Sequence, residues 1–240
     1  MLTFSKRCAK EILRDPINIM FGLGFPVVLL LLLSAIQANI PVGLFEIASL
    51  VSGISVFGLS FMSLFASTLI AKDRESSFLQ RLYTTPLKPV DFILGYMLPV
   101  VPIAISQSII CFVVAVFLGL PVNINVLYAI LAMLPIALFH ISLGLLCGSL
   151  FTVKQVGGVC GALLTNLSAM LSGVWFDLEL VGGIFVKIAE ILPFVHAVRL
   201  EKAVLDGNIG DALPSLYIVI IYTVVLTVGA VLVFLRQMKK

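Results

Sequence analysis

Two stretches of this chain carry charged side chains at spacings that could do chemical or mechanical work. One is "AKDRESSFLQRLYTTPLKPVDF", residues 71 to 92, lying between two long apolar runs. With a helix over 72–86, Phe78 pairs with Leu82 and Leu79 with Tyr83 at i, i+4 spacing, while Lys72, Asp73, Arg74, Glu75, Gln80 and Arg81 cover the other sides. Pro86 pushes Thr85 out of the helical region, so the helix is expected to stop there. Such a helix either anchors in lipid headgroups or presents a knob to a cytoplasmic partner. The other stretch is "FSKRCAKEILRDP". It sets Phe4, Cys8 and Ile12 on one face at i, i+4, i+8, with Lys6, Arg7, Lys10, Glu11 and Arg14 around much of the rest. That pattern predicts an amphipathic interfacial helix over 1–16. Asp15 and Pro16 then read as the N-cap and first-turn residues of the next helix.

Catalytic constellations are missing from the sequence. HExxH, CxxC, GxSxG and GxxxxGK[ST] do not occur, and there are 2 histidines. The chain is therefore read as a non-enzyme that binds no cofactor and no metal, with any ATP and magnesium held by a partner. Cys8, Cys111, Cys147 and Cys160 lack metal-ligand spacing and read as buried hydrophobes. His140 is the ionisable residue of the apolar runs. It could accept a proton or touch a substrate, but it is expected to hydrogen-bond to a neighbouring helix backbone.

These residues must be positioned by membrane helices. Of 240 residues, 61% are hydrophobic and 11% charged, against about 25% charged in a soluble domain. Six apolar runs, at 17–38, 47–71, 92–119, 126–150, 155–176 and 215–235, each suffice to cross a hydrocarbon core of about 30 Å. The first run is too long for the apolar core of a signal peptide and is expected to remain as a span. Pro26, Pro99, Pro102 and Pro135 fall inside runs and should kink them. Small residues recur in the second, fourth and fifth runs, among them Ser63, Ser67, Gly144, Gly148, Gly157 and Gly161, a spacing that permits close helix approach. With the N-terminus inside, the outer segments hold Lys187, Arg199 and Lys202 and the inner ones hold the other 12 of the 15 Lys and Arg residues. This bias puts both termini in the cytoplasm. The outer segment 177–213 is too charged and too broken by Pro193 to span, and it reads as two short interfacial or re-entrant helices. The expected fold is an all-α polytopic membrane protein, one transmembrane domain over 1–240.

"DRESSFLQRLYTTPL" resembles the cytoplasmic signature of type-2 ABC exporter permeases, roughly E-R-E-x-G-T-L-E-R-L-x-x-T-P-L. Asp73, Arg74, Glu75, Leu79, Arg81, Leu82, Thr85, Pro86 and Leu87 match it or substitute conservatively, whereas Ser77 and Phe78 replace the usual Gly-Thr. "SGVWFDLE" at 172–179 resembles the family's S-G-V-x-F-P-x-E, with Asp177 for the proline. "LPFVHAVRLEKAVLDG" at 192–207 resembles its N-P-x-x-x-A-x-x-x-R-x-x-x-x-G segment, with Leu192 for Asn and Lys202 for Arg. "RDP" before the first span fits as well.

The resemblance implies a six-span permease that pairs with a second permease, identical or homologous, and docks on a cytoplasmic ABC ATPase. It makes the helix after the second span a coupling helix, with Asp73, Arg74, Glu75, Phe78, Leu79, Arg81, Leu82 and Pro86 transmitting nucleotide-driven closure. Arg7, Lys10 and Arg14 would meet the ATPase from the N-terminal helix. Trp175, Phe176, Pro193 and His196 would belong to an outer gate. The implied setting is the cytoplasmic membrane of a prokaryote, with no nucleic-acid partner. Spans without Asp, Glu, Lys or Arg suit export of an amphipathic or hydrophobic substrate. The alternative is an ATPase-independent carrier or channel, which predicts ionisable groups inside the membrane.

Overall fold

The computed structural model describes residues 2–39, 46–76, 78, 89–176 and 178–238, and every regular element among them is helical. Helix α1 is Leu2–Leu13 and α2 is Pro16–Asn39. Helices α3, α4 and α5 are Ile47–Glu75, Pro89–Phe117 and Ile124–Leu150. Helix α6 runs through three consecutive pieces, Val153–Val156, Gly157–Leu164 and Thr165–Leu171. The short α7 is Leu178–Val181, followed by α8 at Gly183–Ile191, α9 at Pro193–Leu205 and α10 at Ile209–Met238.

Five of these helices are long and apolar enough to cross a membrane: α2, α3, α4, α5 and α10. The expected fifth run, 155–176, is helical only to Leu171 and is not among the five. Lys154 and Gln155 at the start of this helix, with Thr165 and Asn166 further on, dilute its apolar character, and residues 157–164 form a wide π-type turn. Another such turn, Met20–Gly24, precedes Pro26 in α2. A proline lacks the amide and crowds the carbonyl four residues back, which favours widening of this kind.

Helix α3 is the core of the bundle. Its most apolar window is 89% buried, against 22% for α2 and 17% for α10. A helix enclosed by other helices must satisfy its own polar groups, and the α3 serines do so. Ser55, Ser60 and Ser63 donate to Val51 O, Phe57 O and Ser60 O. Helix α5 presses directly on this face: a Cβ on Gly144 or Gly148 would run into the backbone of Ser63 or Ser67. The small-residue spacing thus serves packing within one chain.

The N-terminal helix is amphipathic as expected, but its apolar face is buried in protein. Phe4, Cys8 and Ile12 are 7%, 0% and 5% exposed. Phe4 packs edge-on to Phe92 and Tyr96 and sits against Gly95 of α4. Asp15 caps α2 by accepting from Asn18 N, with Pro16 in the first turn.

On the opposite side, α9 runs antiparallel to the first half of α5. Phe194 lies against Phe139 and His140, while Gly207 abuts Asn125 near the start of α5. Tyr222, midway along α10, donates to Ile191 O at the α8–α9 elbow. The elbow therefore sits level with the middle of two spans, about 20 Å from Gly207 at 1.5 Å per residue.

Candidate functional site: the joint at the C-terminal end of α3

The sequence assigns residues 72–75 to a separate short helix. The structure instead makes them the last turn of α3, which ends at Ser76 in an extended conformation. This boundary correction has a physical cause. Asp73 prolongs the buried stripe of Ala66, Leu69 and Ile70, and Ser76 Oγ turns back onto Asp73 O to close the helix. Of the expected coupling-helix residues, Leu79, Arg81, Leu82 and Pro86 lie outside the described residues.

Each of the three charged residues in that last turn is bound to a different neighbour. Asp73, 1% exposed, accepts both Arg7 guanidinium nitrogens at 2.5 and 2.6 Å. It also accepts the Tyr96 hydroxyl at 2.9 Å. Arg7 pairs in addition with Glu11 at 2.9 Å and lies over the Phe78 ring, 4.0 Å from its centre. Two parallel charge-assisted bonds fix direction as well as distance, so α1, α3 and α4 are held in one register. The hydrogen bonds to Asp73, above all, raise the Arg7 pKa above its ordinary value. Burial, reinforced by the Asp73 charge, pushes the Cys8 thiol up to about 12, so it stays protonated and inert.

Arg74 reaches the other way. It donates to Gly148 O at 3.0 Å, to Ser149 O and to Phe151 O at 3.2 Å, covering carbonyls that α5 leaves open at its C-terminus. A cation there also complements the helix dipole. Glu75 Oε1 accepts Val153 N at 2.9 Å, at the first turn of α6. That turn is itself closed by a Thr152–Gln155 capping box. One turn of α3 thus grips α1 and α4 through Asp73, α5 through Arg74 and α6 through Glu75.

The other expected site residues scatter. Lys10 on α1 and Arg14 just after it are exposed. Trp175 meets Phe57 edge-on and lines a groove of about 420 Å³, whose walls include Phe21 and Phe25 of α2, Phe61 of α3 and Asn166 of α6. Phe176 packs on Phe185. Pro193 opens α9, and His196 Nε2 lies 2.8 Å from Glu190 O. No described contact joins the Trp175 groove to His196. His140 bonds through Nδ1 to Ile136 O of its own helix, where a neighbouring helix was expected.

Two residues were not legible from sequence. Tyr96 completes the Asp73 cluster, and its distance along the chain left no local signal. Glu201 is wholly buried, with no hydrogen-bond partner for either oxygen among the described residues. Burial raises its pKa well above the ordinary carboxyl value.

A bundle of long apolar helices, its core helix stitched to its neighbours at one end, defines a multi-pass membrane protein. The chain belongs to the ABC-2 type transporter family, whose model matches residues 1–203, and is a membrane permease component of a transporter. Among curated proteins and among solved structures, nothing matches.

Proposed function

We propose that this chain is the permease subunit of an ATP-driven exporter, paired with a second permease and driven by a separate cytoplasmic ATPase. The observation that carries this reading is the joint at residues 73–75. A lever needs a rigid fulcrum, and here one helical turn holds four other elements. Asp73, Arg74 and Glu75 then pass movement between helices, each side chain being bonded to a neighbouring element. The family motif leaves Leu79, Arg81, Leu82 and Pro86 as the ATPase-facing part, with Phe78 bridging the two. Lys10 and Arg14 add an exposed basic edge at the N-terminal helix.

In this reading α6 is the remaining crossing of a six-span domain, and both termini face the cytoplasm of a prokaryotic cell. Helices α8 and α9 form a re-entrant hairpin from the outer side. The cargo is amphipathic or hydrophobic, because the Trp175 groove between α2, α3 and α6 combines aromatic and aliphatic walls with the hydrogen-bonding side chains of Asn18, Thr165 and Asn166. The largely exposed faces of α2 and α10 leave room for the second permease.

Affinity purification of the tagged chain in mild detergent tests the partnership. A soluble P-loop ATPase of about 25–35 kDa is expected to co-purify, and Lys10→Glu with Arg14→Glu should weaken its retention. Repeated absence of any ATPase, with transport by the purified chain alone, would favour the carrier instead.

A further inference from the structure

A groove of about 350 Å³ opens between the N-terminal helix and two spans, away from the Trp175 groove. Ala9 and Leu13 of α1 form its rim, Leu23 of α2 one wall, and Pro99, Pro102 and Ile103 of α4 the other. Its shape follows from two departures from regular helix: the wide turn Met20–Gly24 and the paired prolines inside α4. Its chemistry is apolar. Ser106, the hydroxyl on its wall, already donates to Pro102 O at 2.8 Å. Leu13 is 66% exposed at the rim.

Charge gathers beside the rim, where Lys6 and Lys10 line an adjoining cleft of α1 with Arg7, Glu11 and Arg14. At about 100° per residue, Lys6 lies about 20° and Lys10 about 60° around α1 from Leu13. Both lysines are exposed and form no ion pair among the described residues. The acidic side chains of this corner are taken up by other cations: Glu11 pairs with Arg7, and Asp15 lies 3.9 Å from Lys72 while capping α2. Because α1 is joined directly to the start of a span at Pro16, its rim is at headgroup depth and the groove descends into one leaflet.

We infer that this groove is a binding site for an anionic phospholipid of the leaflet facing α1, one acyl chain lying along Leu23, Pro99 and Ile103 and the phosphate held by Lys6 and Lys10. An apolar wall alone would take any lipid, and a basic rim alone any anion. Together they select a molecule with both parts. Since the same helix carries Arg7 to Asp73, lipid binding would steady α1 against the α3 joint. The site itself does not depend on the exporter reading.

Native mass spectrometry of the purified full chain in detergent tests this, with phosphatidylglycerol and phosphatidylcholine of identical chains as probes. Wild type should retain phosphatidylglycerol about tenfold better. Lys6→Gln with Lys10→Gln, both surface changes, should bring the two lipids to near parity. Lys154→Gln, an exposed basic residue on α6 outside the groove, should leave the preference intact. Ile103→Trp, which fills the groove, should lose both lipids, and inorganic phosphate should displace neither. A preference that survives the double lysine change, falls equally with Lys154→Gln, or yields to inorganic phosphate would overturn the proposal.

Discussion

Glu201 is a carboxylic acid held where neither oxygen has a hydrogen-bond partner among the described residues. An ionised carboxylate in that place would be costly, and burial accordingly raises its pKa well above 4.5. The unfolded chain releases this proton above about pH 4.5, while the folded chain keeps it. Stability therefore falls as pH rises from there toward the folded pKa, by up to about 1.4 kcal/mol per pH unit. Glu201→Gln keeps the shape and removes the titration. Thermal unfolding in detergent should show variant and wild type alike near pH 4.5, with the variant increasingly the more stable at higher pH. Parallel curves would mean that Glu201 is ionised in the fold. The sequence hid this residue because Arg199, Glu201 and Lys202 look like one polar face. In fact Arg199 is paired outward with Glu190 at 3.5 Å while Glu201 points in. Periodicity finds a charged stripe but not which of its members faces a neighbouring helix.

Among the elements, α1 was the most legible and α3 the least complete. Phe4, Cys8 and Ile12 defined the buried face of α1 correctly, and Asp15 with Pro16 marked the start of α2. What covered that face was not legible, because its partners Phe92, Tyr96 and Gly95 are remote in sequence. The same distance concealed the Arg7–Asp73 pair, 66 residues apart. Removing Arg7 leaves Asp73 buried with Tyr96 as its remaining described partner. Arg7→Ala should cost about 3 kcal/mol, the low end for a broken buried pair because Arg7 itself is 37% exposed. Asp73→Asn should cost less. The double variant should resemble Asp73→Asn alone, since the unpaired carboxylate is then gone. Denaturation midpoints of the three proteins check this, and simple additivity would contradict the pairing. For α3, helical phase carried the span into the charged motif, so composition placed the boundary at 71 whereas the backbone places it at Glu75.

Taken whole, the molecule shows its membrane character in composition and its family in three separated motifs. The six-run count exceeds the five long apolar helices because α6 mixes glycines and amides into its length. The grip of α3 on its neighbours was not legible at all. It depends on backbone carbonyls and one amide, at Gly148, Ser149, Phe151 and Val153, which have no side-chain signature. The proposed lever rests on this grip: in that proposal, movement of α3 would be carried to α5 and α6 through Arg74 and Glu75.

The most direct test of that lever is a distance measurement that needs no knowledge of the cargo. Spin labels at Lys154→Cys, on α6, and Ile184→Cys, on α8, are placed in a chain otherwise free of cysteine and bound to the ATPase proposed as its partner. Pulsed electron resonance then compares the nucleotide-free state with the vanadate-trapped one. The 154–184 distance should change on trapping in the otherwise native chain. With Arg74→Ala and Glu75→Ala added, the ATPase should still trap vanadate while that distance stays fixed. An undiminished change in the doubly substituted chain would contradict the role assigned to residues 73–75.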